Sequence, residues 1–341
     1  MVADPTFETE GRGPLADALA LGPVMADGGM STALAELGAS PSGPLWTAEV
    51  LATQPQLVGR AHEAFLDAGA RVILSAGYQV SRRGAVATGR SPADGDLLLV
   101  DAVRVARRAR SAWAERCGAR GRRRGGDAWV AASIGPYGAT LADGSEYRGN
   151  YDCSEHELRG FHRQRLSVLC EAGVERSTRA ELWWCETIPD GREVRVLADE
   201  LERAMARMAR LGAPPPELIV SMTVGADARC VTGEPVAEAI APVLDLPGLV
   251  AVGVNCAPGE HVAAALRPLA AATAVPLVAK PNLGGAWDPA RGVFVGASSS
   301  SGRPDALLEQ LLDAGARLVG GCCGSGPGDL AQMARALAGV R

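Results

Sequence analysis

Eight apolar runs recur along the chain, at residues 24–27, 71–76, 128–134, 182–187, 218–224, 249–256, 276–281 and 316–322. Most are continuously apolar rather than alternating, as expected of strands buried on both faces. Between them the apolar positions take a helical spacing. Leu57, Ala61, Phe65 and Ala68 form one such set, Leu158, Phe161, Leu166 and Leu169 another, and Leu307, Leu308, Leu311 and Leu312 a third. Residues 94–118, 190–211, 235–246, 260–272 and 328–340 carry the remaining helical patterns. The stretch 40–54 shows no clear period and reads as a long loop after the first strand.

A short repeat supports one recurring unit. Leu66-Asp-Ala-Gly-Ala-Arg71 returns as Leu312-Asp-Ala-Gly-Ala-Arg317, each time where a helix gives way to a strand. Gly69 and Gly315 suit the left-handed residue that follows a helix C-terminus. Strand–helix units repeated in this way predict an α/β fold, a single (β/α)8 TIM barrel spanning 1–341 with its core at about 22–338. A doubly wound sheet is the alternative, but no Gly-x-Gly-x-x-Gly follows a strand.

In a TIM barrel the active site lies at the C-terminal ends of the strands. Here those ends carry Asp27, Ser75 to Tyr78, Ser133 to Tyr137, Glu186, Met222 and Thr223, Asn255 and Cys256, Asn282, and Cys322 and Cys323.

Composition narrows the function. Apolar residues make up 47% and charged residues 21% of the 341, with a formal net charge of −5. No basic stripe with interleaved aromatics suggests nucleic acid, and Arg120, Arg122, Arg123 and Arg124 read as a solvated loop. Residues 1–20 lack the apolar core of a signal peptide, and no run of about 18 apolar residues suggests a membrane span. A cytoplasmic protein with its eight cysteines reduced is the expectation. The oligomeric state stays open, a homo-oligomer included.

Three of those cysteines stand at predicted strand ends: Cys256 in Gly-Val-Asn-Cys, and Cys322 and Cys323 in Gly-Gly-Cys-Cys-Gly. Three thiolates can hold a zinc ion and leave its fourth position open, the mark of a catalytic rather than a structural site. Adjacent strand residues point to opposite faces, so Cys322 and Cys323 can share one ion only if the chain turns, which Gly320, Gly321 and Gly324 permit. Buried structural thiols or a vicinal disulfide are the competing readings. The four histidines all fall in helix-like stretches, which disfavours a His-based hydrolytic centre. Asp27, followed by two glycines that would admit a ligand close to the backbone, and Glu186 place two carboxylates at the mouth. They suit a substrate ammonium, although a helix cap or loop salt bridge would also use them.

Asp27-Gly-Gly29, Ser75-Ala-Gly-Tyr-Gln79, Ser133-Ile-Gly-Pro-Tyr-Gly138, Leu141-Ala-Asp-Gly-Ser-Glu-Tyr-Arg-Gly149, Glu186-Thr-Ile-Pro189, Gly253-Val-Asn-Cys256 and Gly320-Gly-Cys-Cys-Gly324 together resemble the homocysteine S-methyltransferase family. The resemblance runs from about residue 22 to 338 and is nearest the branch that uses S-methylmethionine or S-adenosylmethionine. It implies a zinc-dependent barrel that moves a methyl group from a sulfonium donor to homocysteine, giving methionine. The zinc ligands and catalytic residues would be Cys256, Cys322 and Cys323. Asp27 and Glu186 would hold the amino group of homocysteine, and Tyr78, Gln79, Ser133 and Asn255 would complete the substrate site. The chain departs from the family where members commonly read Tyr-Pro-Asn-Ser-Gly-Glu; here it is Lys280-Pro-Asn-Leu-Gly-Gly285, followed by Trp287-Asp288 and Phe294. Ser75 and Gly77 also stand where Thr and Ser are frequent. A betaine-type donor, a related thiol acceptor and a non-catalytic zinc- or thiol-binding relative are the rival readings. A cobalamin-linked module is disfavoured by the chain's length.

Overall fold

The computed structural model describes residues 14–39, 41, 43–125, 128–283, 286–288, 293–295 and 304–339. Among the described residues ten strands are present: β1 Val24–Met25, β2 Val72–Leu74, β3 Trp129–Ile134, β4 Leu182–Ile188, β5 Glu217–Met222, β6 Leu249–Pro258, β7 Leu277–Asn282, β8 Ala286–Asp288, β9 Val293–Val295 and β10 Ala316–Val319. β8 and β9 form a small antiparallel hairpin. The other eight make one parallel sheet in the order β1-β10-β7-β6-β5-β4-β3-β2. A bridge between Ala26 and Val72 joins the two ends, with Asp27 N donating to Val72 O at 2.9 Å, so the sheet closes into the expected barrel.

The barrel strands are buried along nearly their whole length, with Arg317 an exposed exception, and their two faces meet different partners. Val72, Leu74, Trp129, Ala131, Leu182, Trp184, Ile219, Ala251, Val278 and Leu318 pack together inside the barrel. Their strand neighbours, such as Ile73, Val130, Trp183, Val220, Val252 and Ala279, pack outward on the helices. The apolar runs thus conceal a period of two, in which both rows are covered. Leu15 and Leu19 from the helix Leu15–Leu21 join the interior cluster, and the Glu217 carboxylate accepts from Leu15 N and Ala16 N at 2.7 and 2.9 Å. This helix plugs the end of the barrel opposite the cysteines.

Gly69 and Gly315 both have positive φ, 110° and 99°, as the repeat predicts. Several details differ from the expectation. β1 is only two residues long, and Asp27 lies just beyond it. β10 stops at Val319, so Cys322 and Cys323 sit in the following loop rather than on the strand. The 40–54 stretch is not simply a loop, because Thr47–Thr53 is helical with Thr47, Ala48, Val50 and Leu51 buried. Short helices at Met30–Glu36 and Arg82–Ala87 carry too few turns to show a period. The helix Pro92–Gly125 runs through the 120–124 segment, with a non-helical Gly118 (φ 50°, ψ −154°), where a loop was expected. Gly284 and Gly285 lie outside the described residues.

Leu15 is fully buried. Leu15→Ala should therefore cost roughly 3 kcal/mol, the usual range for a core leucine. The urea midpoint should fall while the chemistry at the distant mouth persists.

Candidate active site

Cys256 reaches the mouth through an irregular strand end. The register between β6 and β7 shifts between Asn255 and Pro258, and Cys256 has a left-handed φ of 54°. β4 does the same, with a shift between Cys185 and Ile188 and φ 62° at Thr187. Non-glycine residues rarely hold this conformation without support. Asn255 supplies it: its Oδ1 accepts from Thr187 N and Ser221 Oγ at 2.8 and 2.7 Å, and its Nδ2 donates to Thr187 Oγ1 at 2.8 Å. Asn255 is fully buried and does not face the cavity, so the structure places this expected substrate residue behind the wall.

Cys322 and Cys323 are presented by the loop after β10. Cys322 N donates to Pro281 O at 2.8 Å, Cys323 N to Asn282 Oδ1 at 3.1 Å, and Leu283 N to Cys323 O at 3.0 Å. The glycines after Asp27 serve this loop. A Cβ on Gly28 would lie 2.5 Å from Ser325 O, and one on Gly29 would lie 2.6 Å from Cys322 O. Their lack of a side chain admits the protein's own backbone, where the sequence suggested room for a ligand.

The three sulfurs all lie within 4.8 Å of one another, and Cys256 Sγ is 3.6 Å from Cys323 Sγ. All are free thiols. Sulfurs sharing one tetrahedral zinc at about 2.3 Å would stand about 3.8 Å apart, so the set fits such an ion. Hydrogen bonds with Cys256 and Cys323, helped by the Lys280 charge, hold the Cys322 thiol well below its ordinary range. The Tyr147 hydroxyl lies 3.2 Å from Cys256 Sγ.

The cluster opens on a cavity of about 600 Å³. Asp27, Tyr78, Gln79, Ser133 and Glu186, all expected at the mouth, line it. Gln79 is fixed by its Nε2 donating to Ala139 O at 3.1 Å. Tyr78 is positioned from behind, where buried Arg165 donates to Tyr78 O, Gly77 O and Gly135 O. Ser133 Oγ donates a short hydrogen bond to Glu186 Oε1. Burial pushes the Glu186 carboxyl up to about 7, although the Lys280 ammonium opposes the shift.

Trp46, Glu146, Tyr147 and Lys280 also line the cavity; sequence reasoning assigned none of them a site role, although Glu146, Tyr147 and Lys280 lie in the segments quoted above. Burial pushes the Glu146 carboxyl up to about 7, and its Oε2 has no hydrogen-bond partner among the described residues. Lys280 follows Val278 on the inward row of β7, so an alternation test on that strand would have aimed it into the barrel. Its Nζ pairs with Asp27 Oδ1 at 2.8 Å. Burial disfavours the Lys280 ammonium, but the charges of Asp27 and Glu186 outweigh it and hold its pKa above the ordinary lysine value.

A parallel barrel with three convergent thiols at its C-terminal mouth has the geometry to hold a metal ion beside the cavity. The sequence profile of the family described as homocysteine S-methyltransferase matches residues 24–337. Homocysteine S-methyltransferase of Escherichia coli is 35% identical over 311 residues, covering 91% of this chain and 94% of that one. Selenocysteine Se-methyltransferase of Brassica oleracea var. italica is 34% identical, covering 88% and 85%. The crystal structure of the metallated form of the Escherichia coli homocysteine methyltransferase superposes with a TM-score of 0.78 at 34% identity, over 95% of this chain and 99% of that one. The chain belongs to the homocysteine S-methyltransferase family.

Asn255→Ala would take the hydrogen-bond partner from the buried amide and hydroxyl of Thr187 and the acceptor from the Ser221 hydroxyl, which keeps only its bond from Trp184 Nε1. Each unsatisfied buried group costs about 1–3 kcal/mol, so a loss of roughly 3 kcal/mol is expected in urea unfolding. The three-sulfur geometry should loosen with it.

Proposed function

We propose that this protein transfers a methyl group from a sulfonium donor, S-methylmethionine or S-adenosylmethionine, to homocysteine, with Cys256, Cys322 and Cys323 holding zinc. The observation that carries the reading is the convergence of three sulfurs within 4.8 Å at the mouth of a cavity lined by carboxylates. Bound there, zinc would stabilise the acceptor sulfur as a thiolate near neutral pH, well below the usual thiol range.

The protein's own groups would then bind and align. Glu186, held by Ser133, provides anionic surface for an acceptor ammonium, and Asp27, ion-paired with Lys280, stands beside it. Tyr78, Gln79 and the walls from Trp46 to Tyr147 shape the cavity and exclude water. Aromatic faces and the Glu146 carboxylate suit a donor that carries positive charge at sulfur. Attack of the thiolate on the methyl carbon forms the new S–CH3 bond. The donor's C–S bond breaks with its electron pair on the donor sulfur, leaving a neutral thioether. With the acceptor already deprotonated, catalysis is mainly positioning, and no general base is required. A sulfonium methyl is a better electrophile than the ammonium methyl of betaine, so the sulfonium reading is preferred. Free thiols at the centre also suit a reducing cytoplasm.

Incubation of purified protein with homocysteine and each of S-methylmethionine, S-adenosylmethionine and betaine tests the reading. Methionine should form with a sulfonium donor and least with betaine. Cys256→Ser and Cys323→Ser should each lose bound zinc and turnover while the fold persists; full zinc retention in both would refute the ligand set.

Glu186 gives a pH signature. An ammonium binds the carboxylate form, which is depleted as pH falls through about 7. The KM for homocysteine should therefore rise below pH 7. Glu186→Gln should flatten that rise and weaken homocysteine binding by about tenfold or more, as for loss of a charged hydrogen bond.

A further inference from the structure

Asp27 already faces an ammonium group, and the group belongs to the protein. Lys280 Nζ lies 2.8 Å from Asp27 Oδ1, and both side chains are 3% exposed. The second oxygen, Oδ2, accepts from Leu74 N at 2.7 Å. Nζ also stands 5.1 Å from the centroid of the Trp184 ring, on the floor formed by the interior cluster. Lys280 and Asp27 both line the cavity, so this ion pair is part of the surface an acceptor meets.

We propose that Lys280 sets the acceptor class, standing where a substrate ammonium would otherwise meet Asp27, so that the site also methylates short mercapto carboxylates lacking the α-amino group. The inference rests on the methyl-transfer reading above and extends its acceptor range. An incoming ammonium would share Asp27 with a like charge a few ångströms away, and a neutralised carboxylate attracts it weakly. Of the expected pair, Asp27 takes the direct ion pair with Lys280, and Glu186, hydrogen-bonded to Ser133, feels the Lys280 charge from farther away. An acceptor without the ammonium forgoes little, and its own carboxylate gains a cation in Lys280.

For 4-mercaptobutanoate the thiol proton leaves to solvent and the sulfur attacks the sulfonium methyl. The S–CH3 bond forms as the donor's C–S bond breaks, its electron pair staying on the donor sulfur. The products are 4-(methylthio)butanoate and the neutral thioether of the donor.

The test uses zinc-loaded wild-type protein and Lys280→Met with S-methylmethionine as donor, comparing homocysteine with 4-mercaptobutanoate. Both kcat/KM and, without donor, calorimetric Kd are read. In the wild type the two acceptors should agree within about tenfold, and Lys280→Met should shift the ratio toward homocysteine by about tenfold or more. A wild-type preference for homocysteine above tenfold, or an unchanged ratio in Lys280→Met, would overturn the proposal. Removing Lys280 leaves Asp27 buried without its partner and can prevent folding; the wild-type ratios then decide alone. Failure to methylate homocysteine would instead strike the functional reading, and the Kd ratio would still judge this one.

Discussion

Convergence of three thiols at one point depends on two strand ends held in the left-handed region. Cys256 has φ 54° and Thr187 φ 62°, conformations that cost on the order of 1–3 kcal/mol each for non-glycine residues. Asn255 binds both strand ends through a buried hydrogen-bond set that no water replaces easily. Without that clamp a regular β6 would carry Cys256 away from the Cys322–Cys323 loop. That loop in turn packs so closely on Gly28 and Gly29 that any side chain there would collide with its carbonyls. Strain, clamp and close packing act together to hold one cluster at the barrel mouth.

Charge organises the space next to the cluster. Asp27, Glu186 and Lys280 lie within the buried interior end of the barrel, where a lone charge would be expensive. Asp27 and Lys280 compensate each other, and Glu186 sits near the midpoint of its titration at neutral pH. The mouth is therefore less anionic than its two carboxylates suggest.

Much of the design was legible in the sequence. The eight apolar runs gave the barrel strands because buried parallel strands need no polar face, and Gly-Gly-Cys-Cys-Gly announced a turn that brings two thiols together. Continuous apolarity also hid which face each residue takes, so Lys280 was noticed as a changed residue but not as the partner of Asp27. Asn255 and Cys256 are adjacent in sequence, yet one supports the wall and the other faces the cavity, a division set by the register shift near the end of β6. The helix Thr47–Thr53 and the contact of Tyr147 with Cys256 arise from tertiary packing of segments with little periodic signal.

The central claim, that the three cysteines hold one metal with a position left for the acceptor sulfur, is tested most directly by X-ray absorption at the zinc edge. The purified protein should show three sulfur neighbours at about 2.3 Å and one lighter atom, with homocysteine raising the count to four sulfurs. Fewer than three sulfurs at rest, or no change when homocysteine is added, would contradict it.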